Sequence, residues 1–190
     1  TLSQDYSANS SIKIYAEYVY LDTDERRRFA QSSHEYLIEQ VQFDKFSNNN
    51  TFNLSFNHPV KELIWTSPYR AGKLTGTPVV TGGTWVLSIN GQNRFQERPY
   101  QYFTRTQLWK HHTGQGSAPH AVFDAIAVYS FALKPEEHQP SGTCNFSRID
   151  NAQLELKALT NAGVMNLKIY AVNYNVLRIM SGMGGLAYSN

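Results

Sequence analysis

The sequence predicts an all-β chain, an eight-stranded antiparallel jelly-roll sandwich with one short helix between its first and second strands. Three observations carry this. Apolar residues recur with a period of two in segment after segment, the spacing at which side chains alternate between the two faces of a sheet. Tyr (12) and Phe (10) are abundant, as suits pleated, half-buried surfaces. No βα repeat is present, so two packed antiparallel sheets are the economical arrangement. An immunoglobulin-like sandwich shares this pattern, but its Cys–Trp–Cys spacing is missing, Cys144 being the single cysteine.

The first expected strand is "SIKIYAEYVYL", with Ile12, Ile14, Ala16, Tyr18 and Tyr20 on one face and Lys13, Tyr15, Glu17, Val19 and Leu21 on the other. "DTDERRRFAQ" breaks the alternation. Asp22 followed by Glu25 resembles a capping box and starts the short helix. "HEYLIEQVQFDKF" is the second strand, and "SNNN" turns the chain into "TFNLSFN", the third, with Phe52, Leu54 and Phe56 inward. His58-Pro59 punctuates. "VKELIWTS" is the fourth strand, followed by a Gly/Thr/Pro-rich loop over 68–83, and "TWVLSING" is the fifth, with Trp85, Leu87 and Ile89 on one face. The stretch 95–121 reads as a long irregular loop rich in aromatics, Gln and His, a length that usually serves function or an interface. "VFDAIAVYSFAL", apolar on both faces, is the sixth strand and belongs in the middle of a sheet. "FSRIDNAQLELKA" and "MNLKIYAVNYNVLRIM" are the seventh and eighth, and "SGMGGLAYSN" is an extended tail. The domain division is 1–11 lead-in, 12–180 jelly roll and 181–190 tail.

Composition narrows the function. The chain is 190 residues, 41% hydrophobic and 17% charged, enough for one domain with a substantial core. A net charge of +2 and the absence of a basic tract leave no electrostatic footprint for nucleic acid. No apolar run approaches the roughly 18 residues of a membrane span. A single cysteine rules out an intrachain disulfide and a multi-cysteine zinc site. The chain begins at Thr1 with a polar stretch, which reads as a piece of a longer polypeptide.

The densest collection of reactive side chains is "KPEEHQPSGTCNFSRIDNA", 134–152. Glu136 and Glu137 are adjacent and diverge in extended chain, a poor acid/base pair. His138 and Ser141 have the types of a base and a nucleophile, but Pro135 and Pro140 bracket the histidine, and such stretches after a strand form turns. The reading is a structural corner made by Pro135, His138, Pro140 and Gly142, with no catalytic residue. His111, His112 and His120 lack a carboxylate at ligand spacing, so no metal or cofactor is expected. The glycines of the tail lack a phosphate-binding pattern. The Asn-x-Ser/Thr triplets at Asn9, Asn49, Asn53 and Asn145 are of a kind that chance supplies in such a chain. Trp65 and Trp85 lie in strands and belong to the core. Tyr100, Tyr102, Phe103 and Trp109 lie in the long loop, where aromatics build either a sugar platform or a protein interface.

Several long stretches resemble the major capsid proteins of large eukaryotic DNA viruses, of the algal-virus and iridovirus type. They are "FALKPEEHQPSGTCNFSRIDNA", "LDTDERRRFAQSSHEYLIEQVQ", "FNHPVKELIW", "NGQNRFQER" and "NYNVLRIMSGMGGLAYSN", in the family's order from about Lys13 to Asn190. The resemblance implies a structural protein and not an enzyme. In that family one chain carries two jelly rolls, three chains form a pseudo-hexagonal trimer, and trimers tile an icosahedral shell. The stretches found here are those of the second jelly roll, so the resemblance implies a partner domain, the N-terminal jelly roll of the same polypeptide. It further implies copies of the chain as a homotrimer, neighbouring capsomers and minor capsid proteins. The place implied is the outer capsid of the virion, assembled in the infected host's cytoplasm. On this reading the loops over 95–121 and 68–83 face outward or meet a neighbour, as do Arg26, Arg27 and Arg28 on the short helix. A carbohydrate-binding jelly-roll module is the alternative, because such scaffolds host many functions. A cupin-like metalloenzyme is a third.

Overall fold

The computed structural model describes residues 13–47, 49–66, 83–114, 126–157, 167–181 and 183–188. The order of elements is helix α1 (Thr23–Gln31), β1 (His34–Phe46), β2 (Thr51–Asn53), β3 (Pro59–Thr66), β4 (Thr84–Ile89), β5 (Gln92–Asn93) and β6 (Arg98–Pro99). A wide π-type turn (Tyr102–Thr106) then runs into helix α2 (Gln107–His111). The remaining strands are β7 (Ile126–Ser130), β8 (Cys144–Asn145), β9 (Ala152–Lys157), β10 (Leu167–Met180) and β11 (Met183–Leu186), with a 3-10 turn at Phe146–Arg148.

Two antiparallel sheets form, one in the order β1-β10-β3-β7 and the other β2-β9-β4-β5. Successive strands on these two paths alternate between the sheets except β4 and β5, which pair in one sheet, and the eight strands are those of a jelly roll. The core fills the space between them. β9 shows the simplest case, with Ala152, Leu154 and Leu156 buried and Gln153, Glu155 and Lys157 turned outward. Phe52, Leu54 and Phe56 face the same core, although the pairing of β2 ends at Asn53. Trp65 of one sheet and Trp85 of the other are both fully buried and lie 5.7 Å apart between ring centroids, so they bridge the layers.

The architecture departs from the expectation at five places. The segment expected as the first strand is not one: residues 13–22 pair with no strand among the described residues and are exposed. A strand needs a neighbour to satisfy its backbone, and this segment has none here. Helix α1 therefore precedes the first strand instead of lying between the first two. Its start is as read, since Asp22 accepts the Glu25 N–H at 2.8 Å and Asp24 and Glu25 lie in the first turn, where the helix dipole favours acids. Second, the seat of an eighth jelly-roll strand is taken by the two-residue β5, which pairs Gln92 and Asn93 with the end of β4. It is too short to show alternation.

Third, the loop expected over 95–121 contains the helical stretch ending at His111. Its buried side, Tyr100, Phe103, Thr104 and Gln107, has helical spacing that the aromatic and Thr content obscured. Fourth, β7 ends its sheet instead of sitting in the middle. The helical stretch covers it, and Gln107 Oε1 accepts the Ser130 N–H at 3.2 Å, which closes off part of the free edge. Fifth, the tail folds back. β11 pairs with Leu177–Met180 of β10, and the Tyr188 carbonyl accepts from Asn175 Nδ2 at 2.8 Å. Glycines at 184 and 185 hid this strand, because they supply no alternation to read.

Candidate functional site

β3 is apolar except for Lys61, Glu62 and its last residue, Thr66, and the two charged residues are buried. The register of β3 against β10 shifts at Val172/Asn173, so that Lys61 is the extra residue of a bulge. Its carbonyl accepts from the Phe131 and Ala132 N–H groups, and its ammonium donates to Glu39 Oε1 and to the Pro135 carbonyl, each at 2.6 Å. The ammonium also lies 5.5 Å from the centroid of the Tyr174 ring. Glu62 points to His112, at the end of α2, with Nε2 3.0 Å from Oε2. The two atoms are close but not aligned as a hydrogen bond. The other ring nitrogen, Nδ1, lies 3.1 Å from Glu136 Oε1. Glu136 Oε2 accepts from the Thr113 N–H and hydroxyl, at 3.0 and 2.6 Å. His112 thus stands between a carboxylate of β3 and one of the corner.

Burial pushes the Glu62 carboxyl above its ordinary range, against the pull of His112 and Lys61. Glu136 is held below its ordinary range by the Thr113 hydroxyl first, and then by the Thr113 N–H and His112. The arrangement ties three elements together and holds no nucleophile. The corner itself is a set of turns. Ser141 Oγ accepts the Lys134 N–H at 2.9 Å and donates to the Lys134 carbonyl at 3.2 Å, while Lys134 Nζ meets Glu137 at 2.9 Å. The two adjacent glutamates do diverge, one to His112 and one to Lys134. Pro135 is buried, and His138 and Pro140 are exposed.

Gly142 has φ of 142°, and a Cβ there would lie 2.9 Å from the Phe131 carbonyl oxygen. Gly142→Ala is therefore expected to destabilise the chain by about 1–3 kcal/mol, read as a lower urea midpoint with an unchanged slope. A midpoint equal to wild type would show that the corner relaxes freely.

Among the described residues the other features form no catalytic constellation. A cleft of about 460 Å³ is lined by Ile89, Gln92, Asn93, Arg94, Phe131 and Cys144. Its thiol is pushed up by burial, the opposite of an activated cysteine. Among the described residues no group of three or more His, Cys, Asp and Glu side chains converges as metal ligands. His111 Nδ1 lies 3.0 Å from the Leu133 carbonyl, and His120 is outside the described residues, as is nearly all of 68–83.

The aromatic residues of the expected loop separate. Tyr100 and Phe103 are buried in the chain's own core, Tyr100 beside Trp85 and Phe103 beside Trp65 at 5.0 Å. Both side chains are enclosed by the chain's own core. Tyr102 is half-buried under Arg98, and Trp109, 81% exposed, alone stands out. A single exposed indole is no sugar platform. Arg26, Arg27 and Arg28 lie on α1, which buries none of its residues, and Arg27 is 3.9 Å from Asp24.

The sheet of β1 has an apolar outer face that sequence reading missed. Phe43 lies opposite Tyr170, with the rings stacked at 5.8 Å, and Val41 opposite Val172. Ile64 continues the row from Tyr170. Val41 and Phe43 are 63% and 55% exposed, and Ile126 of β7 is also exposed. The alternation of "QVQFDKF" against the outer residues of the eighth expected strand was the signal. Both segments read as strands, but the order of the sheet is needed to put their outer faces together.

Comparison with known proteins agrees with this architecture. The sequence model of the large eukaryotic DNA virus major capsid protein family matches residues 25–185. The major capsid protein of Pyramimonas orientalis virus is 50% identical over 95% of this chain and 49% of its own length. That of Paramecium bursaria Chlorella virus 1 is 38% identical over 97% of this chain and 55% of its own. A quasi-atomic structure of the PBCV-1 virus capsid superposes with a TM-score of 0.71 at 38% identity, covering 91% of this chain and 56% of that one. The chain thus spans about half the length of the relatives it matches. With the jelly-roll order of its sheets and a family match over 25–185, the chain belongs to the major capsid proteins of large eukaryotic DNA viruses.

Proposed function

We propose that the chain is a structural domain of the virion capsid, the second jelly roll of a two-jelly-roll polypeptide. Three such polypeptides form a pseudo-hexagonal capsomer, and capsomers tile an icosahedral shell. It acts by packing and edge contacts, without catalysis. Its partners are the preceding jelly roll, copies of itself, neighbouring capsomers and minor capsid proteins, and the shell is assembled in the host cytoplasm. The observation that supports this beyond family membership is the outer face of the β1–β10 sheet. Val41, Phe43, Tyr170, Val172, Ile64 and Ile126 leave an apolar surface that a shell subunit covers with a neighbour. Arg26, Arg27, Arg28 and Trp109, all exposed, are further contacts of this kind.

The test is sedimentation and electron microscopy of the full-length capsid polypeptide, wild type and with Phe43→Glu and Val41→Glu together. The wild type is expected to sediment as a trimer. The double variant is expected to stay folded, because both positions face outward, and to lose capsomer or shell assembly. A wild-type polypeptide that remains monomeric at every concentration sinks the trimer. A double variant that assembles normally removes this face from the contacts.

A further inference from the structure

Residues 13–21 have the sequence of a strand and no sheet to belong to. Ile14, Ala16, Tyr18 and Tyr20 fall on one face, and Tyr15, Val19 and Leu21 on the other. Apolar residues on both faces mark a strand that is covered on both sides, in the interior of a packed structure. Here the opposite holds. Ile14 is 92% exposed, Tyr15 88%, Val19 82% and Tyr20 91%, and no strand among the described residues pairs with the segment. Each extended residue carries a backbone donor and acceptor that a sheet would satisfy. Such a segment left open is an aggregation site, so a functional protein covers it.

What covers it is constrained by three facts. Among the described residues each seat on the two sheet paths is filled by a later strand. The family model begins at residue 25, just beyond the segment. The relatives are about twice as long as this chain, which on the two-domain reading leaves a comparable length of polypeptide for the preceding domain. Between segment and domain stands α1, which buries none of its residues and has the build of a spacer.

We infer that residues 13–21 are a strand of the sheet of the preceding domain, and that α1 is the connector between the two domains. The inference rests on the two-domain reading above and deepens it by naming the shared element. It places the start of this jelly roll near residue 33 instead of 12. The preceding domain then lacks one interior strand until this segment is supplied, so the two domains share an element as well as a linker.

The test is amide hydrogen exchange followed by mass spectrometry, comparing the full-length capsid polypeptide with the 190-residue chain. The amides of 15–21 are expected to exchange at least about 100-fold more slowly in the full-length protein, with β10 equally protected in both. Fast exchange of the segment in the full-length protein overturns the inference. So does protection already present in the dilute 190-residue chain, which means pairing inside this domain, for instance along the free edge of β1. Protection in the 190-residue chain that rises with its concentration also overturns it, in favour of a second copy. The capsid reading is judged separately on the same samples. If the full-length protein forms capsomers while the segment exchanges fast, only this inference falls. If the segment is protected but no capsomer forms, only the assembly reading falls.

Discussion

Replacing Trp65 with alanine is expected to lower the stability of the chain by about 3–5 kcal/mol, the largest effect of any single substitution in the core. The reason is its place in the aromatic stack. Trp65 lies 5.7 Å from Trp85 across the two sheets and 5.0 Å from Phe103 of the π-type turn, and Trp85 continues the stack to Phe52 at 6.0 Å and to Tyr100 at 6.1 Å. One deletion therefore opens a cavity against both sheets and the helical segment at once. The indole N–H of Trp65 has no hydrogen-bond partner among the described residues. Trp65→Phe consequently removes volume without removing a bond, and is expected to be far milder than the alanine change. Urea denaturation of the two variants beside wild type gives the comparison. Equal losses for phenylalanine and alanine would mean that packing volume does not set the cost here.

The same stack shows what the sequence made legible. Trp65, Trp85, Phe52 and Leu154 sit in segments whose alternation assigns each to the core, and all four are buried. Alternation is a local property, and strands that pack on one core express it locally. It also misled, because residues 13–21 carry it without having a partner in this chain. Tyr100 and Phe103 went the other way: they read as a loop surface because the aromatic and Thr content of their stretch hid its helical spacing, and they proved to be core. The polar cluster was out of reach for a different reason. Glu39, Glu62, His112 and Glu136 are far apart in sequence, and only the pairing of β10 with β1 and β3, and of β3 with β7, brings their elements together. The one local hint was a Lys-Glu pair inside the apolar run "PVKELIW".

That cluster carries the second large effect. Lys61→Met is expected to destabilise the chain by about 3 kcal/mol at neutral pH, toward the lower end of the range for breaking a buried ion pair, because water can reach one of the partners. The ammonium is 4% exposed, whereas Glu39 is 37% exposed and keeps part of its hydration. What the variant cannot replace is the bond to the Pro135 carbonyl and the nearby positive charge that offsets buried Glu62. The two glutamates facing His112 should then separate by pH. The Glu62 carboxyl is raised by burial, so the folded chain binds its proton more tightly than the unfolded chain does. Its contribution is fully present below the ordinary glutamate range and is lost as pH rises through the raised value. Glu62→Gln should therefore gain on wild type as pH increases. Glu136 is depressed, so its contribution is present above the ordinary range and is lost as pH falls through the lowered value. Glu136→Gln should lose most near neutrality and approach wild type in acid. Urea midpoints of the three proteins between about pH 2 and about pH 8 resolve the opposite slopes. Parallel curves for Glu62→Gln and wild type would show that the buried carboxylate does not titrate with folding, and the account of the corner as a charge-tied strap would fail.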